Sequence, residues 1–428
     1  MSLNGAIGLL IGLILVNYWL SRSVLYPPFL FCSTWLLDLT IYRFSPKEFD
    51  PLHTNTLELL AMGAVFFSLG GILAMLFPKA LITARFVLTR FPPRNDLVKP
   101  AVILFLACGI PLLLHNLLIL ASQGTGNTIF QQARNAGVAA GAGQQLAGGS
   151  PLATYFTLWA LYAAPLFLIE RRDKSFWVMT TIAFLASLLS TGRLPFLMLI
   201  SSLTCVELLK TNRHTFWLAL KFARLPMLLF VCLFFGLLFL IKDTSIFEGG
   251  IGAIMLLFLV GYMIGPTAAL DYFMQHQQDY GDSPNHTFKF FLTIASKFHL
   301  IAYQESTRID FVDLPIPTNV YTVYRSYLSD FGLYGALLSI AIIALLQTLL
   351  YRKARTGSTL GSYLFAITLY ALFLSVFSDE YASFGAYIDS LAFAAIYIVL
   401  RSLPLRILPR LDLRYETPGS AAIAQPHR

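Results

Sequence analysis

Between Pro315 and Gly332 the chain sets an amide, several hydroxyls and phenols, a guanidinium and a carboxylate within eighteen residues, directly before a long apolar run. Asn319, Tyr324 and Tyr327 carry groups that hydrogen-bond and stack on polar ligands. Arg325 carries a fork of donors that matches phosphate or carboxylate oxygens. Asp330 is a carboxylate that can take a proton. If Asn319 to Asp330 is helical, Thr318 can cap it, and Thr322, Arg325 and Ser329 share one face. A polar helix face is usually just solvated, but this one leads into apolar chain.

Three other places concentrate polar groups. Gln123 to Ser150 carries Gln131-Gln132-Ala133-Arg134-Asn135 before a Gly/Ala-rich tract, and Arg134 reads equally as a snorkelling side chain or as an anion contact. The hairpin Ser190-Thr191-Gly192-Arg193-Leu194-Pro195 puts Arg193 at a hydrocarbon boundary, either as an anchor or, if the short flanking helices hold it below the surface, as a group needing an anionic partner. A third set comprises Asp271, His276, His286, Lys297, His299, Glu305 and Arg308. From it Asp271 and His299 join Asp330 as competing general-base candidates, each with a structural ion-pair reading beside it. Asp38, His115 and Asp389 fall inside apolar runs, form no motif and read first as interhelical hydrogen-bonders. No Gly-rich nucleotide loop, Gly-x-Ser-x-Gly elbow or His-Glu-x-x-His pattern occurs. Cys32, Cys108, Cys205 and Cys232 have no metal-ligand spacing, and no carboxylate cluster asks for a cation. No cofactor and no metal are expected.

The elements that must position these groups follow from solvent. A chain that is 57% hydrophobic and 12% charged cannot cover a soluble globule of 428 residues with polar surface. The expected fold is an all-α polytopic membrane protein with about eleven transmembrane helices, at about 4–20, 24–42, 56–77, 100–121, 152–170, 176–190, 194–209, 225–241, 334–351, 358–377 and 382–400. The first run lacks a basic start and a cleavage site and reads as a retained helix with the N-terminus outside. This threading puts 21 of the 30 basic residues on the cytoplasmic side. The net charge of +8 then reflects that bias and anionic headgroups, with no nucleic-acid partner.

Residues 1–414 read as a single membrane domain with external loops at about 123–151 and 242–333, and 415–428 as a disordered cytoplasmic tail. Ile251 to Met274 is long enough to span, but a twelfth span would put Arg352, Lys353 and Arg355 outside. With Gly265-Pro266 and Asp271 it reads instead as a broken, re-entrant or interfacial helix sheltered by protein. Phe288 to Gln304 repeats apolar residues at 290, 291, 294, 298 and 301 and reads as a helix along the membrane surface.

The span layout, two external loops of unequal size, Thr191-Gly192-Arg193, and the segment Pro317-Thr318-Asn319-Val320-Tyr321 to Asp330-Phe331-Gly332-Leu333-Tyr334-Gly335 together resemble the Wzy-type O-antigen or oligosaccharide repeat-unit polymerases. The resemblance implies a bacterial inner-membrane glycosyltransferase with its active face in the periplasm. Such an enzyme moves a growing glycan from an undecaprenyl-pyrophosphate carrier onto the next lipid-linked repeat unit. Its partners are lipid-linked oligosaccharide and membrane lipid, and the role admits a chain-length regulator. Paired external Arg-x10-Gly motifs of some members are not matched, since Gln145, Asn319 and Ala336 follow Arg134, Arg308 and Arg325 at that distance. A sugar on pyrophosphate has a good leaving group, so the chemistry needs cations for the departing charge and a base for the acceptor hydroxyl. Arg193 and Arg325, with Arg134 as a third, are then expected on the pyrophosphate, and Asn319, Tyr324 and Tyr327 on the sugars. An O-antigen ligase shares the broad plan, and a lipid-linked oligosaccharide flippase or other transporter is the reading without bond chemistry.

Overall fold

The computed structural model describes residues 1–45, 49–78, 95–141, 151–170, 172–190, 194–211, 251–276, 285–302, 318–381 and 386–402, with isolated positions between 217 and 236 and between 312 and 315. Arg193, Glu305, Arg308, most of 225–241 and the tail 415–428 lie outside the described residues.

Among the described residues every regular element is a helix, apart from one bridge between Val312 and Thr318. In chain order these are α1 (Leu3–Ser21), α2 (Pro27–Arg43), α3 (Thr54–Leu76), α4 (Asn95–Gln123), α5 (Ile129–Gly141), α6 (Pro151–Glu170), α7 (Lys174–Leu189) and α8 (Leu194–Lys210). They are followed by α9 (Ile251–His276), α10 (Lys289–Lys297), α11 (Tyr324–Arg355), α12 (Thr359–Thr368), α13 (Tyr370–Phe373) with a 3₁₀ turn Leu374–Val376, and α14 (Ala386–Ser402). Among the described residues five helical stretches are long and apolar enough to cross a membrane: Leu3–Ser21, Thr54–Leu76, Val102–Gln123, Tyr324–Arg355 and Thr359–Val376. Leu15, Trp19, Leu104 and Leu338 project from three of them as exposed apolar side chains, which hydrocarbon accommodates and water does not.

The centre of the bundle is α3 lying along α11. Their backbones close on each other where side chains are smallest: a Cβ on Gly70 would sit 2.2 Å from the Ala341 carbonyl oxygen, and one on Gly63 would sit 1.9 Å from the Tyr324 hydroxyl. Those two contacts require a sharp bend in α11. Gly63 and Gly70 are about 10 Å apart along α3, whereas a straight helix from Ala341 back to Tyr324 would extend about 25 Å. The chain kinks sharply at Gly332, where φ 66° and ψ −171° interrupt α11. Its first two turns are therefore held in the bundle, placing Tyr324 between Gly63 and Trp35.

Basic side chains gather at one end. Arg352 caps the C-terminus of α3 by donating to the Ala74 and Phe77 carbonyls, Lys210 donates to the Leu168 carbonyl, Lys99 pairs with Asp173 at 2.9 Å and Arg172 pairs with Glu207 at 3.5 Å. The Lys99 ammonium beside Asp173 holds that carboxyl below the usual carboxylate range. Histidines and buried carboxylates gather at the opposite end, among the start of α3, the end of α9, the start of α11 and the turn after the 3₁₀ segment.

Four expectations about local structure change. The stretch read as a solvated loop at 123–151 contains α5, packed on α4 through Ala133, Leu117 and Ala121. Thr128 accepts from the Gln131 N–H at 3.1 Å and Gln131 Oε1 accepts from the Asn127 N–H at 2.8 Å, a variant of the Thr-x-x-Gln capping pattern. Ile251–His276 is one continuous helix across Pro266 and not a broken one, with Ile264 to Asp271 buried in the bundle. The helix expected from Asn319 starts at Tyr324, because residues 319–322 take no regular structure and Val323 is in a turn; Thr318 pairs with Val312 in place of capping, and Thr322 Oγ1 accepts from the Tyr324 N–H at 3.4 Å. The surface helix expected from Phe288 spans Lys289–Lys297, and Phe291, Ile294, Phe298 and Ile301 of its apolar face are exposed.

Candidate functional site

Arg325 lies in the first turn of α11, half-buried, with its guanidinium 4.1 Å from the centroid of the Tyr321 ring and 5.5 Å from that of Phe273 on α9. These cation–π contacts fix the position of the charge, and the N–H donors of a guanidinium lie in its own plane as a fork that matches oxygen acceptors. The non-helical residues 319–322 before the helix are what bring Tyr321 onto that group.

Asp330, near the end of the segment before the bend, is buried and accepts the His286 N–H at 3.2 Å and the Thr287 N–H at 2.5 Å. Both oxygens are thus committed to backbone donors, which ties the turn leading into α10 to the start of α11. The His286 ring is held below its ordinary range by burial; the charge of Asp330 opposes that shift, and the charges of Arg325 and Lys289 reinforce it. Arg325, Asp330 and His286 consequently form one electrostatic cluster. Asp330 organises it and is not presented as a base.

Asp271 faces another flank of α9. It is buried and accepts the His53 backbone N–H at 3.0 Å on Oδ1, and His53 Nδ1 at 2.9 Å and Gln275 Nε2 at 2.8 Å on Oδ2. One turn earlier, Thr267 donates to Asp38 of α2 at 2.8 Å, so Asp38 is an interhelical hydrogen-bonder as expected. Thr267, Asp271 and Gln275 recur every four residues and form a polar stripe that docks α9 on α2 and α3.

The remaining candidates are placed elsewhere. His299 has φ 56° and ends α10 as a left-handed cap: its N–H donates to the Ser296 carbonyl while the Leu300 N–H donates to the Ala295 carbonyl. Its side chain is exposed. Tyr324 is fully buried, against Trp35 and Gly63, and presents no surface to a sugar. Tyr327 is also buried and donates to Asp379 Oδ1 at 2.9 Å. Asn319 is exposed on the non-helical segment. Arg134 is exposed on α5, which packs with α4, α7 and α8, and no described contact joins it to the Arg325 cluster. No group of three or more His, Cys, Asp or Glu suited to a metal occurs among the described residues.

Sequence reading missed His53, Gln275, Tyr321 and the Asp379-Glu380 turn. Thr54 and the apolar run after it mark His53 as a helix-start position, but its partner Asp271 is 218 residues away. Glu380 accepts from Ser378 Oγ at 2.7 Å, and burial, aided by the charge of Asp379, pushes its carboxyl up to about 7 from 4.5. A raised carboxyl stabilises the fold fully below its unfolded value near 4.5, and that contribution is lost as pH rises through about 7. The effect is on the order of 3 kcal/mol across that window. Thermal unfolding of the purified protein should show stability declining from pH 4.5 to 7, and Glu380→Gln should flatten the decline; an unchanged slope in the variant would exclude Glu380 as its source.

Comparison of the chain with protein-family models, with curated proteins and with solved structures finds no match in any of the three.

Proposed function

We propose that this chain is a multi-pass membrane glycosyltransferase that polymerises lipid-linked oligosaccharide repeat units. In this reading it crosses the bacterial inner membrane about eleven times, with its basic end cytoplasmic and the Arg325 end periplasmic. The growing glycan leaves its undecaprenyl-pyrophosphate carrier as the next lipid-linked unit accepts it. One observation carries the reading: a guanidinium stacked on Tyr321 and Phe273 beside a buried carboxylate and a histidine, at the end of the bundle opposite the basic cluster. A cation pre-set by packing stabilises charge on a departing pyrophosphate without reorganising during the reaction. Beside it, α10 offers an exposed apolar face between Lys289 and Lys297, suited to the leaflet from which a lipid-linked donor would arrive.

The test is reconstitution of the full chain in liposomes with a synthetic undecaprenyl-pyrophosphate-linked repeat unit. A ladder of carrier-linked oligomers is the expected product. Transfer only onto a lipid A core acceptor would replace the reading with a ligase, and substrate crossing the bilayer unchanged would replace it with a flippase.

A further inference from the structure

Resting on the polymerase reading, we propose that His53 is the general base of the transfer and that Asp271 and Gln275 are its positioning residues. Asp271 is buried at 7% exposure, whereas the His53 side chain is 57% exposed. A buried carboxylate thus holds an open imidazole. It does so at two points, the backbone N–H and Nδ1 of the same residue, so the ring can neither swing nor slide along α3. An ionised carboxylate only accepts, so Nδ1 carries the proton toward Asp271 and Nε2 is left as the basic nitrogen. Gln275 donates to the same carboxylate oxygen at 2.8 Å, which holds Asp271 in place beside the ring. Nε2 has no hydrogen-bond partner among the described residues. This is the arrangement by which a carboxylate orients an imidazole for proton transfer.

The other described histidines are differently employed. His299 is a helix cap, His286 lies half-buried behind Asp330, and His276 stacks on Tyr272 with Nδ1 on that residue's carbonyl. His115 is exposed along α4. Placement also suits the chemistry. Asp271 and Phe273 diverge by about 200° around α9. His53 and Arg325 therefore contact different flanks of the last turns of α9. The proposed step requires the donor to pass the C-terminal end of α9, with its pyrophosphate at Arg325 and the acceptor hydroxyl between its anomeric carbon and Nε2. In the step, the acceptor hydroxyl oxygen bonds to the anomeric carbon as the carbon–oxygen bond to pyrophosphate breaks. The electron pair leaves with the phosphate oxygen, and the hydroxyl proton moves to Nε2 and then to solvent.

The experiment uses the reconstituted full chain, the same lipid-linked repeat unit, and His53→Ala, His53→Gln, Asp271→Asn and His286→Ala. His53→Ala should slow elongation by about 10²–10⁴-fold at little-changed donor KM, with partial rescue by added imidazole. His53→Gln should be equally slow, since its amide can still donate to Asp271 but takes no proton. Asp271→Asn should lower kcat with His53 present, and His286→Ala should elongate much faster than His53→Ala. A wild-type ladder with undiminished elongation by His53→Ala or by His53→Gln would overturn the base assignment and leave the polymerase reading standing. Collapse in His286→Ala rescued by imidazole, with His53→Ala active, would move the role to His286. Absence of a wild-type ladder would overturn both.

Discussion

Replacing Arg325 by alanine is expected to slow glycan elongation by about 10²–10³-fold, the loss that follows removal of one preorganised donor to developing negative charge. Tyr321 and Phe273 hold the guanidinium at 4.1 and 5.5 Å from their ring centroids, so its charge is in position before substrate arrives. Because charge builds on the leaving pyrophosphate only during bond breaking, the fall should appear in kcat more than in donor KM. Arg325→Lys keeps the charge but neither the planar fork nor the stacking face, and should recover only a small part of the rate. Arg134→Ala, on the separate α5 surface, should change the rate little. Initial rates of ladder formation, with unfolding temperatures to confirm folded variants, decide the matter. Near-normal elongation by a folded Arg325→Ala variant would remove Arg325 from the site.

What was legible in the chain, and what was not, divides along the range of the interactions. Apolar runs and the bias of Lys and Arg to alternate connections are local, additive signals. They anticipated helices over nearly all the apolar runs and the gathering of Lys99, Lys210 and Arg352 at one end. Arg325 and Asp330 were legible as a polar concentration where water and apolar chain meet. Their roles were not. A carboxylate in sequence looks the same whether it will take a substrate proton or accept two backbone N–H groups, as Asp330 does from His286 and Thr287. Tyr324 and Tyr327 carry phenols that suggest sugar contacts, but the bend at Gly332 turns both rings inward, one onto Gly63 and the other onto Asp379. His299 suggested a base and is a left-handed helix cap, a backbone role that its imidazole does not advertise. The His53–Asp271 pair needed the fold itself, because 218 residues separate its members.

That dependence on one bend makes Gly332 the position where a single methyl group should matter most. At φ 66° and ψ −171° the residue occupies a region essentially closed to side chains, so Gly332→Ala should destabilise the protein by about 1–3 kcal/mol. Gly12, in α1, has nothing within 4 Å of an added Cβ. Gly12→Ala should be neutral or stabilising by up to about 1 kcal/mol through reduced chain entropy. Opposite signs for the same chemical change separate backbone strain from any general effect of alanine in a membrane helix. Strain at Gly332 has a second consequence. If the bend opens, Tyr324 withdraws from Gly63, Asp330 releases the turn before α10, and Arg325 loses its place against Tyr321 and Phe273. Elongation by Gly332→Ala should therefore fall further than its loss of folded protein accounts for, measured as rate per folded molecule against unfolding temperature in detergent. A variant as stable and as active as wild type would mean that the chain can reach the same bend without the positive φ, and the placement of Arg325 would then depend on the α3 contact at Gly63 alone.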